Sequence, residues 1–179
     1  TKTKTYASLV GSEESYEIYI PGYNEYVGGI FELHPDQWRD RLVMNGSWRT
    51  IQNLELDYTD PDREDIRISF KDSFFELEGV SSLDSTAVID YLNQFQYFQA
   101  NEWISESRFA RYDSLSKMPP LATLKLETIN TTDPILVEIF PKIHGEAFHL
   151  AQIDDGSMMV IDQSRVKNIL AKRTLFRYK

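Results

Sequence analysis

The sequence predicts an α+β protein: two related antiparallel meander-plus-helix repeats behind an N-terminal extension of strands and one short helix. Three observations predict it. Apolar residues alternate over short runs, turn-forming residues punctuate those runs, and one set of runs occurs twice. Ile51-Gln-Asn-Leu54-Glu-Leu56 matches Leu121-Ala-Thr-Leu124-Lys-Leu126, and Ile66-Arg-Ile68 matches Val137-Glu-Ile139. Phe74-Phe-Glu-Leu77 matches Ala147-Phe-His-Leu150. Leu83-Asp84, with Val88, Tyr91 and Leu92 behind it, matches Ile161-Asp162 with Val166, Ile169 and Leu170. The spacing between copies only grows along the chain, as insertions confined to turns would have it.

In chain order, Thr1 to Ser15 is polar and reads as a frayed end. Tyr16 to Ile20 alternates like a strand and stops at the turn dipeptide Pro21-Gly22. Tyr26 to Leu33 reads as extended, with Gly28-Gly29 marking a bulge or a close backbone approach. A short helix follows: His34 caps it, Pro35 suits its first position, Trp38 and Leu42 share a face, and Asn45-Gly46 ends it. Trp48 to Tyr58, Asp65 to Lys71 and Phe74 to Leu77 form the first meander, with turn chemistry at Thr59 to Asp62. Asp84 then caps a helix from Ser85 to about Asn101, whose inward stripe is Val88, Tyr91, Leu92, Phe95 and Phe98.

Trp103 to Pro120 lacks a clean period. It is expected to cross the surface as a connector anchored by Trp103, Ile104, Phe109 and Leu115. The second copy runs from Leu121 to about Thr174, with turns at Asn130 to Pro134, His144-Gly145 and Asp154 to Gly156. The expected divisions are therefore an N-terminal extension over 1–47, a first repeat over 48–102, a connector over 103–120 and a second repeat over 121–179.

The chain has 179 residues and carries a formal charge of −9, which opposes general nucleic-acid binding because phosphates would be repelled. Beyond Asp162 there is no acid, while Arg165, Lys167, Lys172, Arg173, Arg177 and Lys179 follow; cations of this kind suit the C-terminal end of a helix. With no cysteine, disulfides, zinc-thiolate sites and cysteine nucleophiles are excluded. No apolar run reaches the roughly 18–20 residues needed to span a bilayer, and no signal-peptide pattern opens the chain. The chain begins at Thr1, and an upstream segment is expected.

A Gly-rich phosphate loop with lysine, His-Glu-x-x-His and Gly-x-Ser-x-Gly are all absent, so no catalytic, cofactor or metal residue is assigned. His144, Glu146 and His149 resemble a partial metal site, but too few ligands are in view, and surface turn histidines account for them. Asp57, Asp60, Asp62, Glu64 and Asp65 are acidic enough for calcium, yet Pro61 and Arg63 break the ligand order; a solvated hairpin tip is the simpler reading. Asn45-Gly-Ser47 and Asn130-Thr-Thr132 match the N-glycosylation pattern, while Asp84-Ser85-Thr86 and Asp113-Ser114-Leu115 resemble a bacterial O-glycosylation signal. The helix cap already explains the first of the latter two.

Interaction content concentrates on the outer side of the first long helix. Asn93, Gln94, Tyr97 and Asn101, with Gln96, form an amide face with a tyrosine and few charges, a composition suited to an interface. Cover by the connector of the same chain is the alternative. Trp38, Arg39, Trp48 and Arg49 suggest an aromatic-arginine patch, against which stands the usual place of tryptophan in a core.

Tyr19-Ile-Pro21-Gly22-Tyr-Asn-Glu-Tyr26, Trp38-Arg39-Asp40-Arg41, Tyr91-Leu-Asn-Gln-Phe95-Gln and Ala100-Asn-Glu102 carry a resemblance over nearly the whole chain. The sequence resembles the C-terminal part of bacterial membrane-anchored proteins of the domain-of-unknown-function family 4340. Relatives of that domain accompany gliding-motility-type ABC-transporter auxiliary proteins. The resemblance implies an extracytoplasmic, periplasmic location, attachment to the membrane only through an absent N-terminal segment, and a protein partner in a transporter assembly. Two functions are then expected. One is a non-enzymatic interaction or scaffold domain. The alternative is a ligand-binding or hydrolytic domain acting on envelope glycans through a carboxylate-lined cleft with aromatic walls.

Overall fold

The computed structural model describes residues 4–23, 25–105, 112, 114–115 and 117–178. Phe109 and Asp113, expected as a connector anchor and part of a glycosylation signal, lie outside the described residues. Residues 1–39 and 40–179 separate into two compact units.

In the smaller unit, β1 (Thr5–Ala7) pairs antiparallel with β2 (Tyr16–Ile18), so the expected frayed end contains a strand. Three residues of alternation are too few to read in sequence, and the pairing supplies what local propensity does not. The expected strand over Tyr26 to Leu33 is instead a 3-10 turn at Gly28–Ile30. Gly28 is nonetheless a close approach: its N–H donates to Thr5 Oγ1 at 3.0 Å, and a Cβ there would run into the Tyr26 ring. The short helix α1 (Pro35–Trp38) is capped as expected. His34 Nδ1 accepts from the Asp36 N–H, and Gln37 Oε1 accepts from the His34 N–H. It lasts one turn. Leu42 therefore does not share its face, and Asn45-Gly46 does not end it, because Arg39 is already extended and the next element is a strand.

The larger unit is built on an eight-stranded antiparallel sheet. Its strands are β4 (Ile51–Tyr58), β5 (Ile66–Lys71), β6 (Phe74–Leu77), β8 (Glu102–Ile104), β9 (Ala122–Thr128), β10 (Ile135–Ile139), β11 (Phe148–Ile153) and β12 (Met158–Asp162). Their spatial order is β6-β5-β4-β9-β10-β11-β12-β8. Separately, β3 (Leu42–Met44) pairs with β7 (Phe98–Gln99). Residues 40–47, expected in the N-terminal extension, accordingly pack with the larger unit.

The two meanders meet along β4 and β9, where Leu54 stands opposite Leu126, Glu55 opposite Lys125 and Leu56 opposite Leu124. All four leucines are fully buried. Two helices, α2 (Ser85–Asn93) and α3 (Gln163–Ile169), pack their buried faces into the main core and are capped by Asp84 and Asp162 as expected. Helix α2 ends earlier than the apolar stripe suggests, because Tyr97 takes a left-handed backbone (φ 50°) and Phe98 enters β7. The stripe is still buried throughout: Val88, Tyr91, Leu92, Phe95 and Phe98 all face the main core. A helix of nine residues plus two tight turns places the same side chains inward.

The connector starts as a strand, since β8 pairs with β12 and forms a sheet edge. Here both faces are covered. Trp103, Ala151 and Met159 point to the main core, while their neighbours Ile104, Leu150 and Met158 join Tyr112 and Phe140 in a second cluster, with Leu115 against it. Adjacent strand residues face opposite sides, so the second cluster lies on the sheet's other face. Leu150, expected to match Leu77, therefore faces the opposite side from Leu77, which belongs to the main core.

Side chains of the first half finish the C-terminal end of α3. Tyr91 Oη donates to Ile169 O at 2.8 Å, Arg63 Nη2 to Leu170 O at 2.9 Å and Tyr58 Oη to Ala171 O at 2.5 Å. These carbonyls are the acceptors a helix end leaves without intrahelical partners.

Candidate functional site

The turn after α2 is the most distinctive local structure. The Gln94, Phe95 and Gln96 N–H groups donate to Tyr91 O, Leu92 O and Asn93 O, winding the chain tightly before Tyr97. Phe95 is fully buried and Phe98 nearly so, and between them the chain turns Tyr97 outward with 64% of its surface exposed. A non-glycine residue at positive φ is uncommon and costs about 1 kcal/mol or more, so it persists where its surroundings hold it. The surroundings here are specific. The Tyr97 N–H donates to Asn45 Oδ1 at 3.2 Å, and the Gly46 N–H donates to Phe95 O at 3.0 Å.

The expected interaction face divides at this point. Gln94 and Gln96 are exposed beside Tyr97. Asn93 and Asn101 are exposed too, but their Oδ1 atoms accept from the Trp48 N–H at 3.5 Å and the Asp162 N–H at 2.9 Å. They brace neighbouring segments. Sequence reasoning placed all four on one long helix; Tyr97 and Asn101 in fact lie beyond its end. Of the tryptophan-arginine pairs, Arg49 stands 5.1 Å over the Trp48 ring, whereas Trp38 and Arg39 belong to the smaller unit.

A polar groove of about 730 Å³ runs over the outer side of β4, β5 and β6 and includes Glu55, Arg67, Glu76 and Glu78. Each glutamate is paired: Glu55 with Lys125 at 3.3 Å, Glu76 with Lys71 at 3.3 Å and Glu78 with Arg67 at 4.0 Å. Lys125 also binds Glu127 at 2.9 Å, and Asn53 Nδ2 donates to Glu127 at 2.6 Å. Its bonds to Lys125 and then Asn53 hold the Glu127 carboxyl below the usual carboxylate range. Asp57, Asp60 and Asp65 of the first hairpin are likewise bound up. Arg67 reaches Asp57 at 2.7 Å and Asp65 at 3.7 Å, Asp65 accepts from the Tyr58 N–H, and Asp60 holds its own turn.

His149 is not a surface turn residue. It is buried, with Nδ1 3.0 Å from Phe140 O, while His144 is exposed in the preceding turn. Among the described residues no group of three or more His, Asp or Glu side chains is arranged to hold a metal ion. Likewise, no helix among them is long and apolar enough to cross a membrane. No family model, curated protein or solved structure matches the chain.

Proposed function

We propose that this chain is a non-enzymatic interaction domain on the extracytoplasmic side of a membrane-anchored bacterial protein of the kind the sequence resembles. In this reading it docks a protein partner of a transporter assembly through the surface centred on Tyr97. The observation that carries the reading is the held, left-handed Tyr97, exposed between two buried phenylalanines. An aromatic ring presented on a rigid backbone gives contact area at little cost in conformational entropy, and tyrosine is enriched at interfaces. Exposed Gln94 and Gln96 supply hydrogen-bonding groups around it. Asn93 and Asn101 act as its supports.

The scaffold behind this surface reads as a duplicated meander and helix. Its support is the seam register: exchanging Leu54 for Leu124 and Leu56 for Leu126 returns the same opposed pairs. The copies then match with a slip at the second strand. Ile68 stands opposite Leu54 and Val137 opposite Leu124, so Ile68 corresponds to Val137 and not to Ile139.

The glycan-hydrolase reading draws on the groove over β4–β6. Its glutamates are tied to cations, and its one aromatic lining among the described residues, Phe75, is only 4% exposed. An aromatic wall for a sugar ring is missing there, so the interaction reading is favoured. The test is co-purification of the full-length membrane-anchored protein in mild detergent, wild type beside Gln94→Ala/Tyr97→Ala. A partner recovered with wild type and lost from the double variant supports the reading. Equal recovery with both removes the Tyr97 surface from it.

A further inference from the structure

The described cations that follow Asp162 divide into two sets. Arg165 donates to Gln99 O at 2.5 Å and stands 5.2 Å over the Phe98 ring; Arg173 donates to Glu78 O and lies 3.7 Å from Glu64. Lys167, Lys172 and Arg177 behave differently. All three are exposed and line one groove of about 1000 Å³ between the start of α2, the end of α3 and the C-terminal segment. Among the described residues none of the three has an ion-pair or hydrogen-bond partner for its charged group.

Three other lysines find acids, Lys4 with Glu17 at 2.9 Å, Lys71 with Glu76 and Lys125 with Glu127, and Lys142 donates to Gln163 Oε1. In a chain with 28 acids against 19 bases, an unpaired cluster of three cations around a concavity stands out. The groove's one acid, Asp84, already accepts the Thr86 and Ala87 N–H groups through Oδ1. Three cations less one carboxylate leave a formal charge of +2 there.

We infer that this groove binds a phosphomonoester carried on an apolar body. The charge selects the anion: a phosphomonoester bears about −1.5 to −2 at pH 7, against −1 for a carboxylate. The Arg177 fork can take two phosphate oxygens, and the lysines act as point charges beside it. The walls select the rest of the ligand, since Leu175 and Tyr178 stand 51% and 73% exposed at the same groove, next to Leu170 and Ala171. The inference goes beyond the partner-docking reading and does not depend on it, because it uses neither Tyr97 nor the turn that holds it. The same chemistry occurs in soluble organic phosphates and in the headgroup of phosphatidic acid.

The test is amide-resolved titration of the whole isotope-labelled chain with phenyl phosphate and with inorganic phosphate, beside sedimentation with phosphatidylcholine vesicles with and without phosphatidic acid. Saturable shifts confined to residues 84–87 and 167–178 with phenyl phosphate identify a soluble ligand. Sedimentation that depends on phosphatidic acid, without those shifts, identifies the headgroup. Either signal should fall at least about 10-fold in Lys167→Gln/Lys172→Gln/Arg177→Gln, and should weaken with salt as exposed charge contacts do. The three side chains are exposed, so circular dichroism should show the variant folded. Response to neither probe overturns the inference, as does a variant that binds like wild type. Inorganic phosphate binding as tightly as phenyl phosphate overturns the apolar body.

Discussion

Phe95 and Tyr97 are near neighbours with opposite environments. The Phe95 ring is fully buried and meets Tyr91 edge-on at 5.5 Å, whereas Tyr97 stands in solvent. Phe95→Ala should cost about 3–5 kcal/mol through lost burial and a residual cavity. Tyr97→Ala should stay within about 0.5 kcal/mol, and Tyr97→Gly should be neutral or stabilising by up to about 1 kcal/mol as the left-handed strain is relieved. Urea denaturation of the three variants measures this, and a loss for Tyr97→Ala comparable to that for Phe95→Ala would place its ring in the monomer's core. Tyr58 makes a prediction about pH. Burial pushes its hydroxyl up to about 12, with Arg63 at 3.8 Å over the ring pulling the other way. The folded state thus favours the protonated phenol. The stability it contributes is complete below its ordinary value of about 10 and is lost as pH rises towards 12. Tyr58→Phe should make the fall in melting temperature across that window shallower, and an unchanged slope would rule Tyr58 out as a contributor.

At the level of elements, the seam and the finished end of α3 tie the two meanders into one body. Amide exchange should be slowest in β4 and β9, whose facing leucines are fully buried, and fast through residues 1–39. In that smaller unit Thr5, Val27 and Gly28 are the buried residues among those described, too few for a core of its own. Faster exchange in β9 than in β1 would contradict this. The strands of the main sheet were legible because Leu54 to Leu56 and Ala122 to Thr128 bury alternate residues on one face, a period of two that the register shift between Ile51 and Asn53 interrupts. Both long caps were legible for a local reason: Asp84 and Asp162 each accept from N–H groups of the helix they start. The end of α2 was not, because Tyr97 continues an apolar and amide pattern that suits a helix while its backbone is fixed by Asn45, far away in sequence. Likewise β8 is three residues long and is a strand only because β12 lies beside it. His149, Leu150 and Ala151 are buried in succession, so their two-sided burial leaves no alternation to read.

Across the whole molecule, the polar work of the acidic residues is mostly internal. Asp57 and Asp65 of the first hairpin gather on Arg67, and the glutamates of the β4–β6 groove are held by Lys125, Lys71 and Arg67. Two surfaces of the larger unit stand apart from this internal pairing: the exposed Tyr97 turn and the C-terminal cationic groove. Composition pointed to the first, since amides and a tyrosine with few charges stand out in sequence, although which of them are supports needed the fold. The most direct measurement is photo-crosslinking in the native cell with benzoylphenylalanine at position 97. The control is the same label at Phe70, which is 41% exposed on β5. The account predicts a discrete crosslinked partner from position 97 that is absent from position 70. No crosslink at 97, or the same product from both positions, would contradict it.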